Sequence, residues 1–375
     1  MVGVSEQVAA AIRTAIADHG PIAFSEFMEH ALYGPDGFFE HPPIGAEGHF
    51  VTSPHVHPWV FAHCLRGALL ETWTALGEPD PLPVVELGAG DGTLARALLA
   101  AFAELPAPRP RYTAVEIAEG ARAALRELGV PATAAAEELE PFEGVVVANE
   151  LLDNLPFLLA QGRAGDVVEV RIGLEGDRLV EVEAPWTHAL PEVLALELPD
   201  GVRTAVPIGA FALLAGLAQV VRRGHIVLVD YGTEAGPTGG AHGYRDHRPT
   251  HDLLSAPGTT DVTSGVDFWM VERVAAAHGL EVLGRVRQQA ALDALGFGRW
   301  AETMREMQTM LLQTGKGAEA TQVWQARSRA SLLVDPEYLG SFWWLVLGTP
   351  GLARPPWLER AEGGASAGPP PHRGE

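Results

Sequence analysis

A short glycine-rich segment with acidic residues around it is the most chemically suggestive feature of this chain. It reads Glu-Leu-Gly-Ala-Gly-Asp-Gly over residues 86–92 and joins a predicted buried strand to a predicted helix. Glycines at such a turn let the backbone approach a ligand closely, and the helix that follows offers unpaired N–H donors. Glu116 ends the next predicted strand, where a carboxylate can accept hydrogen bonds from a ribose diol. The pattern therefore favours a ligand that contains a nucleoside.

Two phosphate-bearing ligands fit this loop poorly. A dinucleotide fingerprint would place its third glycine at position 93, which is Thr93, and the carboxylates of Glu86 and Asp91 would face a pyrophosphate. A P-loop is excluded, because no Gly-Lys-Ser or Gly-Lys-Thr triplet follows the glycines. A tight strand-to-helix turn that binds no ligand stays open as an alternative.

S-adenosylmethionine suits an acidic glycine loop better. This molecule carries a ribose, an adenine and a positively charged amino-acid end, so carboxylates near it are favourable. We therefore expect S-adenosyl-L-methionine as the cofactor and S-adenosyl-L-homocysteine as its product. The residues expected to contact it include Glu86, Gly88, Gly90, Asp91 and Glu116.

A second polar group, Asn149, Glu150 and Asp153, follows the third clear strand. If this segment turns into a helix, Glu150 and Asp153 lie three residues apart and share one face. Two carboxylates there could hold a guanidinium through charge-assisted hydrogen bonds, and the carbonyl of Asn149 could orient an amine. In the alternative, Asp153 caps a helix and Glu150 is solvated, and the spacing alone does not decide. Asp230, at the end of the following strand, is a candidate supporting partner at the same sheet edge.

The elements that must position these groups alternate between strand and helix from Val84 onward. Strands are predicted at 84–87, 112–117, 144–148, 225–230, 281–287 and 342–347, and helices at 93–105, 118–128, 209–223 and 271–279. Such alternation predicts an α/β fold with a parallel sheet covered by helices on both faces.

Three regions are predicted along the chain. Residues 1–80 form an N-terminal helical cap with a loop rich in glycine and proline, and residues 81–350 form the core. The core carries insertions at about 160–206, which contains a β-hairpin around Gly176, and at 233–265, which resembles a loop. Residues 351–375 are rich in glycine, alanine and proline and are expected to be a disordered tail.

Composition excludes several functional classes. The 375 residues include 26 basic and 48 acidic side chains, and the net charge of −22 disfavours general binding of nucleic acids. The single cysteine, Cys64, excludes an intramolecular disulfide and a multi-thiolate metal site. No apolar run approaches the roughly 20 residues of a membrane span, so a cytoplasmic location is expected. His49, His55 and His57 share a loop without a nearby acid pair, and no metal is expected there.

Longer segments resemble the MidA family, which includes the mitochondrial arginine methyltransferase that assists respiratory complex I assembly. The similarity extends in order and spacing over nearly the whole chain. The segments that carry it are 20–22, 27–28, 31–33, 48–54, 85–94, 148–156, 230–232, 244–245, 261–263 and 266–268.

This resemblance implies a Rossmann-like class I methyltransferase fold that uses S-adenosylmethionine. It implies that Gly88, Gly90 and Glu116 hold the donor and that Thr52, Ser53 and Pro54 close over it. It also implies that Asn149, Glu150 and Asp153 face the methyl acceptor. In the mitochondrial relative the acceptor is an arginine of a complex I subunit, so a protein substrate bearing an arginine is expected here.

The chain departs from the family pattern at two places. His49 and His55 replace an aspartate and a glutamate of the N-terminal loop, and residues 240–243 read Gly-Ala-His-Gly where Gly-Thr-Leu is usual. Both changes lie where substrate is expected, so the acceptor can differ from that of the mitochondrial relative.

Two other functions remain as alternatives to arginine methylation. One is methyl transfer to nitrogen or oxygen of a small molecule. The other is an assembly factor that binds S-adenosylmethionine without turnover, although the intact Glu86, Gly88, Gly90 and Glu116 argue against it. The sequence leaves open the number and symmetry of the methyl groups, the oligomeric state and the role of the hairpin insertion.

Overall fold

The computed structural model describes residues 2–40, 52–245 and 248–365. A π-helical turn over Glu29–Tyr33 extends the second helix. The α-helices are α1 (Val2–His19), α2 (Phe24–Met28), α3 (Ser53–Val56), α4 (Pro58–Ala75), α5 (Thr93–Ala103), α6 (Glu119–Glu127), α7 (Ile208–Val220), α8 (Phe268–Ala277), α9 (Gln288–Ala294), α10 (Phe297–Gln313), α11 (Gly317–Ala330) and α12 (Pro356–Ala365).

The strands alternate with these helices through most of the chain. They are β1 (Leu82–Leu87), β2 (Pro110–Val115), β3 (Ala132–Thr133), β4 (Phe142–Asn149), β5 (Leu158–Arg163), β6 (Asp166–Glu175), β7 (Arg178–Pro185), β8 (Arg203–Val206), β9 (Val221–Asp230), β10 (Gly232–Thr233), β11 (His242–Arg245), β12 (Arg248–Thr250), β13 (Asp261–Thr263), β14 (Val266–Asp267), β15 (Glu281–Arg287) and β16 (Trp343–Gly348).

The centre of the molecule is a seven-stranded sheet in the order β15-β16-β9-β4-β1-β2-β3. Neighbours from β9 to β3 are parallel, whereas β16 is antiparallel to both β9 and β15. Parallel strands end at the same edge, so the segments after β1, β2, β4 and β9 come together there. The predicted α/β architecture is confirmed.

Side chains alternate between the two faces of the sheet along each strand, and helices cover both faces. Val84 and Val145 pack with α4, α5 and α12 on one face. Val85 and Val146 pack with α7 and α8 on the other. Strands that are apolar at every position are typical of a parallel sheet between two helical layers, and this burial fixes the sheet edge that carries the polar residues.

The first insertion is larger than the predicted hairpin. The hairpin corresponds to β6 and β7, but β5 and β8 join it to make a four-stranded antiparallel sheet in the order β7-β6-β5-β8. The N-terminal helices pack on this sheet through a third apolar core that includes Ile12, Phe27 and Ile172. A backbone hydrogen bond of 2.9 Å from the Ile22 amide to the Ile172 carbonyl joins the two units. The helical cap is therefore anchored by the insertion.

The second insertion also differs from the expectation of a loop. Residues 233–265 contain a three-stranded antiparallel sheet in the order β12-β11-β13. Its strands have three or four residues each, which is too short for a periodic pattern to show in the sequence. This small sheet places Thr263 and His242 beside the end of β9.

The predicted disorder from residue 351 is wrong for Pro356–Ala365, which form α12. Trp357 is 1% exposed and packs edge-on against Trp344 of β16, with ring centroids 5.8 Å apart. The Trp357 amide donates a hydrogen bond of 2.6 Å to a carboxylate oxygen of Glu71 on α4. Two apolar anchors, Trp357 and Leu358, thus order a segment whose glycine and alanine content suggested disorder.

Within the described ranges, no helix combines the length and apolar character needed to cross a membrane.

Replacing Trp357 with alanine should destabilise the protein by about 3–5 kcal/mol, because it removes a buried aromatic side chain from the main core. The measurement is the apparent free energy of unfolding in urea, followed by circular dichroism. Trp324→Ala is the matched control, because Trp324 is 50% exposed on α11 and its loss should cost little. Equal stabilities of the two variants would show that α12 is not part of the core.

Candidate active site

A cavity of about 480 Å³ lies at the carboxyl ends of β1, β2 and β4. Among the sequence-predicted donor residues, it is lined by Thr52, Pro54, Glu86, Gly88, Gly90, Asp91 and Glu116. Asn149 and Glu150 line the same cavity. Ser53 and Asp153 do not line it, and their positions are described below.

The glycine loop curls over the end of β1 because three of its residues adopt left-handed backbone conformations. The φ angles are 66° at Gly88, 52° at Gly90 and 75° at Gly92. Residues other than glycine are strained at such φ angles, and β-branched residues are strained most. The Gly88 amide donates to the Val115 carbonyl at 2.8 Å, which ties the loop to the end of β2. The backbone is thereby held against the cavity.

Glu116 is buried at the end of β2 and braces the glycine loop from the opposite side. Its carboxylate accepts hydrogen bonds from the Gly90 amide at 2.8 Å and from the Ala118 amide at 2.9 Å. Each carboxylate oxygen keeps a further lone pair that can accept a hydroxyl donor. Because Glu116 also lines the cavity, it can hold a ribose diol while it fixes the loop.

The two acids of the glycine loop have opposite ionisation. Glu86 is buried and accepts a hydrogen bond of 2.7 Å from the Tyr112 hydroxyl, and burial raises its pKa to about 8. Burial also acts to raise the pKa of Asp91, but hydrogen bonds from His55 and Thr93 outweigh it and lower the pKa to about 2. At neutral pH the negative charge of the loop therefore lies on Asp91, and Glu86 is largely a neutral acid.

His55 connects the N-terminal segment to the glycine loop. Its Nε2 lies 3.1 Å from Asp91 Oδ2, and its Nδ1 lies 2.7 Å from the Thr52 hydroxyl. A glutamate at position 55 would place a second negative charge beside Asp91, whereas the imidazole can donate to it. This departure from the family pattern therefore lies at the glycine loop; His49 lies outside the described residues.

The segment that begins at Glu150 does not form a helix. Its φ angle is 53°, and its amide donates to the Val229 carbonyl at 2.7 Å, so the chain turns away from β4 without forming a helix. The shared helical face that Glu150 and Asp153 would have in a helix is therefore not formed, although both residues lie in the same turn. A left-handed glutamate is uncommon, and no local sequence signal announces it.

The carboxylate of Glu150 is held by two donors. Oε1 accepts from the Ser53 amide at 2.7 Å and from the side-chain amide of Asn149 at 2.9 Å. Burial raises the pKa of Glu150 to about 7, hydrogen bonds from Ser53 and Asn149 oppose this rise, and the charge of Asp153 adds to it. The group thus titrates near neutral pH, as a proton acceptor in catalysis requires.

Gln288, at the start of α9, supports this arrangement and was missed by the sequence analysis. Its side-chain amide lies 3.3 Å from the Ser53 hydroxyl and donates to the Leu333 carbonyl at 3.0 Å. Its carbonyl accepts from the Trp344 indole at 3.1 Å. Ser53 and Gln288 are fully buried, so Gln288 fixes the segment whose amide holds Glu150. Residues 235 positions apart give no local sequence signal.

Asp153 lies behind the cavity and is 8% exposed. Its Oδ2 accepts a hydrogen bond of 2.8 Å from the Thr263 hydroxyl, and burial raises its pKa to about 6. Asp230 supports the turn, since one of its oxygens accepts from the backbone amides of Leu152 at 2.7 Å and Asp153 at 3.2 Å. Asp230 thus has the supporting role considered from its sequence position.

Two buried acceptor atoms in this region have no hydrogen-bond partner among the described residues: Asn149 Oδ1 and Asp153 Oδ1. A buried polar atom without a partner costs about 1–3 kcal/mol. Such atoms are retained where a ligand satisfies them, so the turn after β4 offers acceptors for N–H groups.

The residues of the cavity fit S-adenosylmethionine. Glu116 can accept from the ribose hydroxyls, and the charged Asp91 can face the positive amino-acid end. Val115, Ile117 and Ala135 give the apolar wall that a purine ring needs. The donor supplies an activated methyl group on a sulfonium. In the described part of the chain, no group of three or more histidine, cysteine or acidic side chains is arranged to hold a metal ion.

Several known proteins with similar sequences are described as methyltransferases. Residues 64–286 match the model of a family described as "Putative S-adenosyl-L-methionine-dependent methyltransferase". The protein named "Protein arginine methyltransferase NDUFAF7, mitochondrial" is 28% identical in Rattus norvegicus, over 75% of this chain and 72% of the relative. Its Danio rerio counterpart is 25% identical, over 91% of this chain and 87% of the relative.

A solved structure shows the same similarity over almost the full chain. It is a "likely methyl transferase" from Burkholderia thailandensis bound to S-adenosyl-homocysteine. Its TM-score is 0.79 and its sequence identity 27%, over 94% of both chains.

The expectation of a cytoplasmic location is wrong. It is contradicted by the names of the curated relatives from Xenopus tropicalis, Danio rerio and Homo sapiens, which are mitochondrial proteins.

Gly90→Val should abolish binding of S-adenosyl-homocysteine, because a β-branched residue at a φ of 52° displaces the loop that lines the cavity. Isothermal titration calorimetry measures the affinity. Gly129→Val is the matched control. Gly129 also has a positive φ of 76°, a Cβ added there would have no atom within 4 Å, and the residue does not line the cavity. Unaltered affinity in Gly90→Val would show that this cavity is not the donor site.

The family match covers more than half of the chain and includes the glycine loop, Glu116 and the turn after β4. These segments line the cavity together with residues of the N-terminal region such as Thr52 and Pro54. The chain therefore belongs to this family of S-adenosyl-L-methionine-dependent methyltransferases.

Proposed function

We propose that this protein transfers methyl groups from S-adenosylmethionine to an arginine side chain of a protein substrate. The observation that carries the proposal is the unpartnered buried acceptor Asn149 Oδ1, which lies beside Glu150 in the cavity wall. A second unpartnered acceptor, Asp153 Oδ1, lies behind this wall in the same turn. A guanidinium presents five N–H donors in a planar fork and can satisfy several acceptors at once. A hydroxyl presents one donor and would leave these acceptors unpaired.

The charge of the chain supports a basic substrate. The net charge of −22 attracts segments that carry arginine or lysine and repels anionic molecules. The curated relatives from several animals are named protein arginine methyltransferases. We include a subunit of respiratory complex I as the candidate substrate, since the family resemblance implies it for the mitochondrial relative.

Catalysis would depend on positioning and electrostatics, because the donor methyl group is already activated. Glu150 and Asp153 would accept N–H bonds from the guanidinium and draw its positive charge away from the attacking nitrogen. Asn149 would fix the plane of the group through its side-chain carbonyl. As the nitrogen–carbon bond forms, the bond between the methyl carbon and the donor sulfur would break and S-adenosyl-homocysteine would leave. The nitrogen would lose one proton, and a carboxylate of this pair would accept it.

The experiment that tests this function uses methyl-labelled S-adenosylmethionine, the purified protein and lysate of a strain that lacks it. Protein and small-molecule fractions are counted separately against a control without enzyme, and labelled protein is hydrolysed to identify the modified amino acid. Label in a discrete protein band, recovered as methylarginine, supports the proposal. Label confined to small molecules contradicts it and indicates a small-molecule methyltransferase.

Glu150→Gln should lower kcat for methyl transfer by about 10²–10³, because an amide neither carries the charge nor accepts the proton. Affinity for S-adenosyl-homocysteine should stay nearly unchanged, since Glu116 and the glycine loop are intact. Glu127→Gln, at an exposed position of α6, is the matched control. Full activity of Glu150→Gln would contradict the role of Glu150 as a catalytic carboxylate.

Activity should fall as the pH drops below about 7, because Glu150, with a pKa of about 7, and Asp153, with a pKa of about 6, then become protonated. Both carboxyls have raised pKa values, so on acidification they become protonated at a higher pH than ordinary carboxyls do. Protonation removes the negative charge that would hold the guanidinium. The measurement is kcat/KM against pH with an arginine substrate, whose guanidinium keeps its proton throughout. A flat profile down to about pH 5 would contradict a catalytic role for carboxyls whose pKa values are raised.

A further inference from the structure

Four side chains form a hydrogen-bonded chain that leads from Asp153 toward the surface. Asp153 Oδ2 lies 2.8 Å from the Thr263 hydroxyl, which lies 2.7 Å from the Tyr231 hydroxyl. The Tyr231 hydroxyl lies 3.3 Å from Nε2 of His242. Thr263 is 1% exposed, whereas His242 is only partly buried. The chain thus connects a buried carboxyl to an imidazole near solvent.

We propose that this chain carries a proton from Asp153 to His242, so that Asp153 is returned to its ionised form for each turnover. The proposal rests on the proposed function, because in that function Asp153 is one of the two carboxylates that can accept the proton released by the methyl acceptor. His242 is not among the residues that line the cavity, and it acts through Tyr231 and Thr263. It is a positioning residue that also receives the proton.

The transfer balances without any further reactant. When Asp153 is protonated, Oδ2–H donates to Thr263, Thr263 donates to Tyr231, and Tyr231 donates to Nε2 of His242. Transfer breaks the Oδ2–H bond and forms an Nε2–H bond, and each hydroxyl gives one proton and receives one. Afterwards the imidazolium donates to Tyr231 and Thr263 donates to the carboxylate, as each hydroxyl can rotate to do. The imidazolium then releases its extra proton to solvent.

The surroundings of Asp153 make such a proton outlet necessary. Asp230, Glu150 and Asp261 are acids in the same buried region, and Tyr33, Tyr231 and Tyr244 also interact with the carboxyl. Negative charges nearby favour the protonated form of Asp153. A carboxyl that has taken a proton there is buried, and the proton needs a path by which it can leave.

The surroundings of His242 favour release of the proton. Burial lowers its pKa, and the charge of His251 lowers it further. The other titratable rings beside it belong to Tyr231 and Tyr244, with centroids 6.1 Å and 5.9 Å away. A weakly basic imidazole passes a proton on to water at neutral pH. His242 lies in the Gly-Ala-His-Gly segment over residues 240–243.

The test measures kcat, KM and the pH profile of methyl transfer in His242→Gln and Tyr231→Phe. Glutamine keeps a hydrogen-bonding group but cannot hold the proton, and phenylalanine removes one link. Both variants should lower kcat at least about 10-fold and leave KM for donor and acceptor unchanged. In both, the acid limb of the profile should move to higher pH. The matched controls, His278→Gln and Tyr338→Phe, change exposed residues and should behave as wild type.

Chemical rescue separates proton transfer from a structural role. Imidazole added to His242→Ala should restore a large part of kcat, whereas a packing defect would not respond. Wild-type kcat and pH profile in both test variants, or loss of activity without rescue, would overturn the relay. If wild type labels no arginine, the proposed function fails instead, and the kcat of the variants on the actual acceptor still tests the relay.

Discussion

The hydrogen bond from the Ser53 amide to the Glu150 carboxylate is the contact on which the organisation of the site depends. It joins the N-terminal segment that covers the cavity to the turn after β4, at a distance of 2.7 Å. Gln288 fixes Ser53 from the other side, and a left-handed backbone at Glu150 aims the carboxylate at it. Three distant parts of the chain therefore have to fold before the carboxylate is positioned.

Electrostatics divides the site into two parts. On the donor side, Asp91 is charged at neutral pH and Glu86 is largely neutral. On the side of the turn after β4, burial raises the pKa of Glu150 and Asp153. A raised pKa means that these groups stabilise the folded protein while they are protonated and that this stability is lost as the pH rises through the raised values. A bound cationic substrate would offset the destabilising effect of the ionised, buried carboxyls. In the proposed function, the site is therefore less stable without its substrate than with it.

The sequence predicted the parts of the site that are local. The glycine loop, Glu116 and the strand-helix alternation follow from short patterns, and the structure places them around one cavity. The sequence left open whether the segment after Asn149 forms a helix, because a non-glycine residue with a φ of 53° leaves no trace in composition. Gln288 is hydrogen-bonded to residues far along the chain, and His242 lies in a strand of only four residues. Trp357 is buried and orders a segment whose composition suggested disorder. Such contacts are decided by tertiary packing and not by local propensity.

We expect one cavity to aim the methyl donor at the turn after β4. A crystal structure with S-adenosylmethionine and an arginine peptide would show whether it does. The ribose hydroxyls should be hydrogen-bonded to Glu116, the sulfonium methyl group should be directed at the guanidinium, and the guanidinium N–H groups should lie on Asn149, Glu150 and Asp153. A ribose bound away from Glu116, or a methyl group directed at the wall formed by 134–137, would contradict it.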